Sequence, residues 1–543
     1  MSKITAIELK NFQTVSDRKL IPIRDLTLLF GPNSAGKSAI LDCLTFISQL
    51  CSDKWDNIED MLTRWARKKE GKYIEAAVGM GIQFEVDRKW EFHNSFSSPE
   101  KSPLKISNFY NYHSEAYFLP EIQGSNLEFY IDFYEVDESW YFNSIKISIN
   151  SNEIIDVNLD IYGQNNDSIK IYKRDWINTE LFANLINKKS RYVKEELDYY
   201  HIEFHGANIN NQINERMVWI STYDHEDLVD ILNFLQQGLN LFTWMINESF
   251  ENKFKKISGN RIPPNKDESL YISHGSPIFE PEYSGGEILP KEFWPILFHL
   301  NDSDRKKADS WTWNVLSYWI ANHKSKVADS EKLLNWKELD EFDKLNQLLR
   351  EELFEESGYQ VDADVRILLP IEDLDNFLSQ DDSHKYSKLI KIFLRDNNLN
   401  KHEIEDVGSG IGYVLPVLVA LIDKGNTFIQ QPEIHLHPAM QSQLGEIIFK
   451  TSESKIGNNS CTIIETHSEN LLLRILKILR IGNNNKLIAD KKLDFENISI
   501  LYFDPKIDGT TSIKRLRLAP DGTFVDRWPR GFFTEKYGDL FDE

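Results

Sequence analysis

The stretch "LTLLFGPNSAGKSAILDCLTFISQL", residues 26–50, decides the fold. Its apolar run stops at a glycine-rich loop, after which apolar residues recur at helical spacing, so it predicts a buried strand, a loop and a helix. The loop "GPNSAGKS" (31–38) satisfies G-x-x-x-x-G-K-[ST] in the strand-to-helix context that this pattern requires. A chance glycine turn is the weaker alternative, because context and motif agree. The stretch therefore predicts an α/β protein with a phosphate-binding loop.

The residue types in this loop fit the binding of nucleotide phosphates. Gly31 and Gly36 allow backbone angles and close approaches that a side chain would block, so successive N–H groups can point at an anion. We expect Lys37 to reach the β and γ phosphates and Ser38 to bind Mg²⁺, while the helix from Ala39 adds its positive end. The residues expected to contact the nucleotide here are Asn33, Ser34, Ala35, Gly36, Lys37, Ser38 and Ala39.

A second anion site is predicted by "DVGSGIGYVLPVLVALI" (406–422). Ser409 and Gly410 start an apolar helix, where a hydroxyl and backbone N–H groups without helical partners can bind an anion. Pro416 fits if it falls within about the first turn, because its missing N–H would have no partner there in any case. An ordinary capped core helix is the alternative. The apolar strand that follows directly favours the anion site.

A serine-glycine-glycine stretch, "YSGGE" (283–287), is an alternative candidate for the signature motif assigned to 406–422. In ATPases with such a signature, the signature helix leads almost directly into the strand of the magnesium site. Residues 283–287 lie far upstream, with a helical segment between. We therefore interpret this stretch as a glycine turn in a loop near the nucleotide or at an interface.

The stretch "NTFIQQPEIHLHP" (426–438) predicts a buried strand whose end faces the ligand. The stretch reads like the magnesium and water site of an ATPase. In such a site the last strand residue, here Gln430, should hold Mg²⁺, and the next residue, here Gln431, should polarise the attacking water. Carboxylates suit both tasks, whereas an amide is neutral and cannot accept a proton. Glu433 is the remaining acid, displaced from the expected position of the water. The stretch thus predicts nucleotide binding with slow hydrolysis.

Histidines follow the two later motif strands. His435 and His437 alternate in "IHLHP" without a further Cys or His nearby, so a dimer-contact loop is favoured over a metal pair. His467 ends the apolar strand of "CTIIETHSENLLLRIL" (461–476), ahead of a helix capped by Ser468. Alone it would be a satisfied core histidine; at the end of a third motif strand it is expected to hydrogen-bond the γ-phosphate.

Composition limits the class of protein. With 543 residues, of which 41% are hydrophobic, the chain is expected to form two or three folded units. Its net charge of −23 repels phosphate backbones at long range, so DNA contacts must be local or made by a partner. Three cysteines without metal-ligand spacing argue against a disulfide framework. No secretory signal or long apolar run is found, so a cytoplasmic protein without membrane contact is expected.

The organisation of the chain follows from its patterns. Residues 4–12 and 20–30 predict strands, and 72–175 predict a mostly antiparallel sheet. Helical spacing appears at 228–246 and 336–354, but without the sustained heptads of a coiled coil. The predicted division is an ATPase lobe with the phosphate loop and a β-rich part, a mainly helical insertion for partner docking, a second ATPase lobe, and a β/tail segment: 1–175, 176–400, 401–490 and 491–543.

The order "GPNSAGKS", "VGSGIGYVLP", "FIQQPEIHLHP" and "IIETHSENLLLRI" resembles ABC-class ATPases of the OLD and RecF kind. The resemblance is specific over about residues 1–50 and 401–480. The tail "VDRWPRGFFTEKYGDLF" (525–541) is similar to the ending of a bacterial group with many anti-phage members, closest to the PtuA-type ATPases of Septu systems. The resemblance implies an α/β ATPase head assembled from both chain ends, with an antiparallel β lobe and a large helical insertion.

The resemblance also implies cofactors and partners. Two heads would enclose ATP and Mg²⁺, with Lys37 of one copy and Ser409 of the other at the same nucleotide. Septu-type ATPases work with a separate HNH nuclease of PtuB type, and retron-linked ones with a reverse transcriptase and its multicopy single-stranded DNA. Relatives usually carry an acid at Gln430 or Gln431, so ATP is expected to act here chiefly as a clamp and a signal.

Two other functions compete with this one. An OLD-type nuclease acting in cis would need a metal-binding Toprim domain, and the chain after His467 is at the small end of an independent domain. A DNA-repair ATPase that binds DNA directly is weakened by the net charge of −23 and the missing coiled coil. We therefore expect a regulatory ATPase subunit whose nuclease activity resides in a partner.

Overall fold

The structure is a computed structural model. It describes residues 3–51, 58–69, 72–73, 78–85, 126–136, 139–158, 168–170, 203–205, 219–221, 254–259, 270–272, 312, 315–316, 319–320, 339–355, 357–368, 387–404, 406–423, 425–456, 460–484, 493–519 and 522–529. The helix predicted over 228–246 and the glycine turn at 283–287 lie outside these residues.

Elements are numbered in chain order over the described residues. The first part of the chain contains β1 (Lys3–Lys10), β2 (Lys19–Pro22), β3 (Leu26–Phe30), α1 (Ala39–Cys51), α2 (Ile58–Trp65), β4 (Lys68–Lys69), β5 (Lys72–Tyr73), β6 (Val78–Glu85), β7 (Asn126–Val136), β8 (Ser139–Ile149) and β9 (Asn152–Asn158).

The middle and last parts follow in the same way. The middle part contains β10 (Ser168–Lys170), β11 (Glu203–His205), β12 (Trp219–Ser221), β13 (Phe254–Ile257), β14 (Leu270–Ile272), α3 (Glu341–Gln347), a π-helical segment (Leu348–Leu353), β15 (Gln360–Leu368), β16 (Ser387–Arg395) and β17 (Lys401–His402). The last part contains α4 (Ser409–Ile422), β18 (Asn426–Gln430), α5 (Pro438–Ser454), β19 (Thr462–Glu465), α6 (Glu469–Asn484), β20 (Ile498–Pro505) and β21 (Thr511–Leu516).

A six-stranded sheet positions the motif residues. Its strand order is β13-β18-β19-β3-β20-β21, and only β21 runs antiparallel to its neighbour. Every residue of β3 is buried, as its apolar run predicts for a central strand. Strands from both ends of the chain therefore build one sheet, and the predicted α/β class is confirmed.

An antiparallel sheet packs beside the helix that follows the phosphate loop. Its order is β2-β1-β6-β7-β8-β9, with every neighbouring pair antiparallel. The ring of Phe46 on α1 meets that of Phe133 on β7 edge-on, with centroids 5.6 Å apart and both side chains fully buried. This contact fixes α1 against the sheet, and the predicted antiparallel lobe is confirmed.

The strand predicted over 20–30 is instead two strands in different sheets. Asp25, between β2 and β3, is 5% exposed and forms an ion pair with Lys3, with Nζ and Oδ1 2.7 Å apart. It also accepts a hydrogen bond of 2.9 Å from Asn497 Nδ2. A buried carboxylate needs such partners, and reaching them turns the chain from one sheet to the other.

The segment 176–400, predicted to be a mainly helical insertion, contributes a strand to the core sheet. β13 pairs in parallel with β18, with Phe254 opposite Asn426 and Ile257 opposite Ile429. Lys256 of this strand is half-buried at the sheet edge. The described part of 176–400 holds α3, the π-helical segment and the strands β11 to β16. The division into four segments stays a prediction.

The tail after β21 returns to the core sheet. Trp528 meets the rings of Phe30, Tyr502 and Phe524 edge-on, at centroid distances of 5.6, 6.2 and 5.0 Å. Phe30 is the last residue before the phosphate loop, so the tail packs on the strand that carries that loop. Among the described residues, no helix combines the length and apolarity that a membrane crossing requires.

Candidate nucleotide-binding site

Three parallel strands bring the predicted motifs to one sheet edge. The phosphate loop follows β3, and the Thr-His segment follows β19. Gln430 is the last residue of β18, and Gln431 comes directly after it. The carboxyl ends of parallel neighbours lie at the same edge, where open α/β sheets bind ligands. The site therefore follows from the strand order β18-β19-β3.

Glycines keep the phosphate loop open. Gly31 has a φ of 144°, and a Cβ there would lie 2.6 Å from the carbonyl oxygen of Phe503 on β20. Gly36 has a φ of 83°, and a Cβ there would lie 2.1 Å from Oγ1 of Thr14. Both conformation and space exclude side chains at these positions. The loop thus has the shape of a backbone cradle.

Lys37 is the cation of this cradle. Its side chain is almost fully buried, and Nζ donates to the carbonyl oxygens of Gly31 and Pro32 at 3.0 and 2.9 Å. Nζ also lies 3.7 Å from Oε1 of Glu465. Burial lowers the pKa of Lys37, and the carboxylate of Glu465 opposes this shift. The ammonium group is therefore held at the strand ends.

The two amides of β18 occupy different surroundings. Gln430 is in register with Glu465, and its Nε2 donates to Glu465 Oε2 at 3.2 Å. Gln431 has a φ of 45°, and its backbone N–H donates to the carbonyl oxygen of Glu465 at 2.6 Å. A Cβ added to Gly259 would lie 3.3 Å from Gln431 Oε1. Gln430 thus contacts Glu465, the carboxylate beside Lys37, while Gln431 lies against the loop after β13.

Glu433 and His467 are joined through the backbone. Glu433 Oε1 accepts a hydrogen bond of 2.7 Å from the N–H of His467. This contact places the predicted remaining acid at the end of β19. The Nε2 atom of His467 is buried and has no hydrogen-bond partner among the described residues. Such an atom costs free energy unless a ligand supplies the partner.

The pKa of His467 gives a testable dependence on pH. Burial, and secondarily the charge of Lys37, lowers it from 6.5 to about 4. The unfolded chain binds a proton at this residue below pH 6.5 that the folded site excludes, so stability falls as the pH falls from 6.5 towards 4. We expect His467→Gln to reduce this loss in the free energy of unfolding by on the order of 1 kcal/mol. The effect is no larger because the ring is partly solvated.

Chemical denaturation of the nucleotide-free protein at pH 4.5, 5.5, 6.5 and 7.5 measures this effect. The two proteins should differ in the slope of the free energy of unfolding against pH below 6.5, and run parallel above it. Identical slopes throughout would show that the imidazole is not excluded from protonation.

The residues at the sheet edge fit a nucleotide phosphate with its magnesium ion. The loop offers an open backbone cradle, Lys37 a buried cation, and His467 a buried nitrogen that a phosphate oxygen could pair. Ser38 and Gln430 carry the oxygen donors that Mg²⁺ prefers. No described group of three or more His, Cys, Asp or Glu side chains forms a separate metal cluster.

The predicted second anion site begins a helix in open surroundings. Ser409 is the first residue of α4, and its N-cap Gly408 is exposed with nothing within 4 Å of an added Cβ. Pro416 was expected in the first turn of this helix, but it lies in the helix interior. Because the helix already begins at Ser409, the missing N–H of Pro416 leaves the carbonyl group of Gly412 without its helical donor.

The loop after β18 packs beside the start of α4. The backbone oxygen of His435 lies 3.4 Å from an added Cβ of Gly410, and the rings of His435 and Tyr413 are tilted by 45° with centroids 4.3 Å apart. His437 caps α5, its Nδ1 accepting from the N–H of Ala439 at 3.3 Å. Both histidines are exposed and serve separate contacts. A dimer-contact role for this loop stays a prediction.

Sequence reasoning assigned no role to Glu465, which contacts both Lys37 and Gln430. The available signal was its place as the last residue of an apolar strand, the same place that Gln430 holds on β18. Only the parallel register of the two strands shows that these ends coincide.

Comparison with known proteins finds one family model that covers most of the chain. The AAA ATPase domain family matches residues 2–472. Structural maintenance of chromosomes protein 1 of Arabidopsis thaliana is 27% identical over 110 residues, which is 20% of this chain and 9% of that relative's length.

Solved structures also match at low identity. One is the SmcHead bound to the C-winged helix domain of ScpA, with a TM-score of 0.35 and 12% identity, covering 95% of this chain and 98% of that one. Another is the SMC head domain from Thermotoga maritima, with a TM-score of 0.32 and 9% identity, covering 95% and 100%.

Proposed function

Since this chain belongs to the AAA ATPase domain family, we propose that it is a subunit in which bound ATP closes two copies of the chain and is hydrolysed slowly. The observation that carries this proposal is a complete phosphate loop beside two amides. Lys37 is buried in the cradle, while Gln430 and Gln431 stand at the end of β18. Such a site keeps the groups that bind a triphosphate and lacks acids where water would be activated.

The chain's own residues have distinct tasks at the nucleotide. Lys37 binds the β and γ phosphates, and the backbone N–H groups of the loop hold the remaining phosphate oxygens. Ser38 and Gln430 would hold Mg²⁺, which would neutralise charge on the phosphates. His467, which is neutral near pH 7, donates from Nε2 to the γ-phosphate in the tautomer that carries the proton there.

Slow hydrolysis follows from the side chains around the expected water. The amide of Gln431 orients a water molecule but cannot accept its proton. Glu433 uses one carboxylate oxygen to accept the N–H of His467, so it serves the end of β19. Binding is thus retained, while neither amide at the end of β18 can act as the general base.

Changing Gln431 to Glu tests this account of the amides. The introduced carboxylate should raise ATP turnover by at least about tenfold, because a positioned general base contributes at least that much. Phosphate release measures the effect, with Gln347→Glu at the end of α3 as the control. Unchanged turnover in a Gln431→Glu protein that binds ATP as tightly as the wild type would contradict the proposal.

The start of α4 supports a site shared between two copies. The exposed Gly408 leaves open space beside the first N–H groups of the helix, where a nucleotide held by a second copy can approach. Ser409 and Gly410 would then touch the phosphates bound by Lys37 of that other copy. ATP would act as the clamp between the two heads.

The partner we propose is a separate HNH nuclease of the PtuB type, which this ATPase regulates in anti-phage defence. The order of the four motifs and the tail at 525–541 support this, through their similarity to Septu ATPases. A retron reverse transcriptase with its multicopy single-stranded DNA would be a further partner in linked systems. A cytoplasmic assembly of this kind needs no nuclease centre in the chain itself.

Expression of the tagged chain together with its neighbouring genes tests the partner. Recovery of an HNH protein with the chain, in larger yield when ATP is present, is the expected result. Metal-dependent DNA cleavage by the isolated chain would favour the nuclease acting in cis. Salt-sensitive DNA binding by the isolated chain would favour the DNA-repair ATPase instead.

A further inference from the structure

We propose that Glu465 supplies the carboxylate that β18 lacks and holds the magnesium ion of the bound nucleotide from the neighbouring strand. This inference rests on the proposed ATP binding and names the carboxylate that binds the metal ion. That carboxylate lies at the end of β19 and not at the position of Gln430 on β18.

The position of Glu465 follows from the register of the sheet. β19 lies between β18 and β3, and Glu465 is in register with Gln430 on one side and Leu29 on the other. Leu29 lies two residues before Gly31, which begins the phosphate loop. An acid at this point stands between the cradle and the strand that normally carries the metal ligand.

The contacts of Glu465 connect the two parts of the site. Oε1 lies 3.7 Å from Nζ of Lys37, and Oε2 accepts from Nε2 of Gln430 at 3.2 Å. Its side chain is 12% exposed. A carboxylate at this depth is tolerated because it has a cation and a donor beside it.

ATP binding changes the balance of charge around this carboxylate. The phosphates that Lys37 attracts would come close to Glu465, and like charges repel strongly at a mostly buried site. A divalent cation between them removes the repulsion, and Mg²⁺ prefers anionic oxygen ligands. Glu465 should therefore make nucleotide affinity depend strongly on Mg²⁺.

Two nearby acids are engaged elsewhere. Glu433 accepts the N–H of His467 through Oε1. Asp42 on α1 accepts a hydrogen bond from Nε2 of Gln13 at 2.5 Å, and burial raises the pKa of its carboxyl group. Glu465 is the acid whose carboxylate contacts the lysine of the phosphate loop.

A magnesium titration of nucleotide affinity tests the assignment without using turnover. For the wild type, the affinity for a fluorescent ATP analogue should rise at least about tenfold from EDTA to saturating Mg²⁺. For Glu465→Gln the rise should shrink to about threefold or less, because loss of the carboxylate improves binding in EDTA. The matched control, Glu469→Gln in the first turn of α6, should keep the wild-type dependence.

Moving the acid back to β18 gives the second arm. The double variant Gln430→Glu with Glu465→Gln should recover the tenfold dependence, since the carboxylate again stands between metal and lysine. The paramagnetic resonance signal of Mn²⁺ bound with nucleotide should be lost in Glu465→Gln and return in the double variant.

The outcomes separate this inference from the proposed function. A wild type that binds no ATP analogue in either condition would overturn both. A wild type with the expected dependence, matched by an equal dependence in Glu465→Gln, would overturn the role of Glu465 alone. A folded Glu465→Gln protein that binds no nucleotide at all, and is not rescued by the double variant, would also overturn it.

Discussion

Replacing Lys37 with methionine is expected to weaken ATP binding by roughly 100-fold, because hydrogen bonds to a charged group contribute up to about 3 kcal/mol. Lys37 is the buried cation of the cradle, held within 3.0 Å of two loop carbonyl oxygens. Methionine keeps the apolar length of the side chain and removes only the ammonium group. Titration with a fluorescent ATP analogue measures the loss directly.

The control for this variant is Lys450→Met. Lys450 lies on α5 and pairs with Glu352 and Glu446 at the surface, so its loss should leave ATP affinity unchanged. Thermal unfolding without nucleotide shows whether each variant is folded. A folded Lys37→Met protein that binds ATP as tightly as the wild type would remove the phosphate loop from the account.

Replacing Ser409 with arginine is expected to abolish dimer formation with ATP while leaving binding to the single chain intact. The residue starts α4 directly after Gly408, which is exposed and has nothing within 4 Å of an added Cβ. In the proposed dimer that space is filled by the nucleotide of the second copy. The mass of the wild type and of the variant in solution, with and without ATP, measures the difference.

A matched control places the same side chain at Asn398, in the exposed turn after β16. Asn398→Arg should dimerise with ATP like the wild type. If Ser409→Arg also dimerises fully, the start of α4 does not face the nucleotide of a second copy.

The parts of the fold that the sequence predicted are those encoded locally. β3, β18 and β19 are short apolar runs that end at glycine-rich or polar motifs, and a buried strand needs little more than that. The phosphate loop carries its own geometry in Gly31 and Gly36. These elements could be predicted because no distant residue is needed to specify them.

The features that the sequence did not predict depend on distant contacts. The break between β2 and β3 exists because Asp25 reaches Lys3 and Asn497. β13 is a four-residue strand with two lysines, and its assignment requires β18 beside it. Neither partner is visible in the local pattern.

The same limit applies to the site. Gln430 and His467 were assigned from motifs, whereas Glu465 gains its place only from the register of β18 with β19. A single sequence gives the ends of strands but not which ends coincide. The residue that meets both Lys37 and Gln430 was therefore missed.

The central claim is that each ATP is held by Lys37 of one copy and Ser409 of the other. Its most direct test is the mass in solution, with ATP, of an equal mixture of Lys37→Met and Ser409→Arg chains. Neither variant should dimerise alone, but the mixture should form dimers, because one of the paired sites then combines an intact Lys37 with an intact Ser409. A mixture that stays monomeric where the wild type dimerises would contradict the claim.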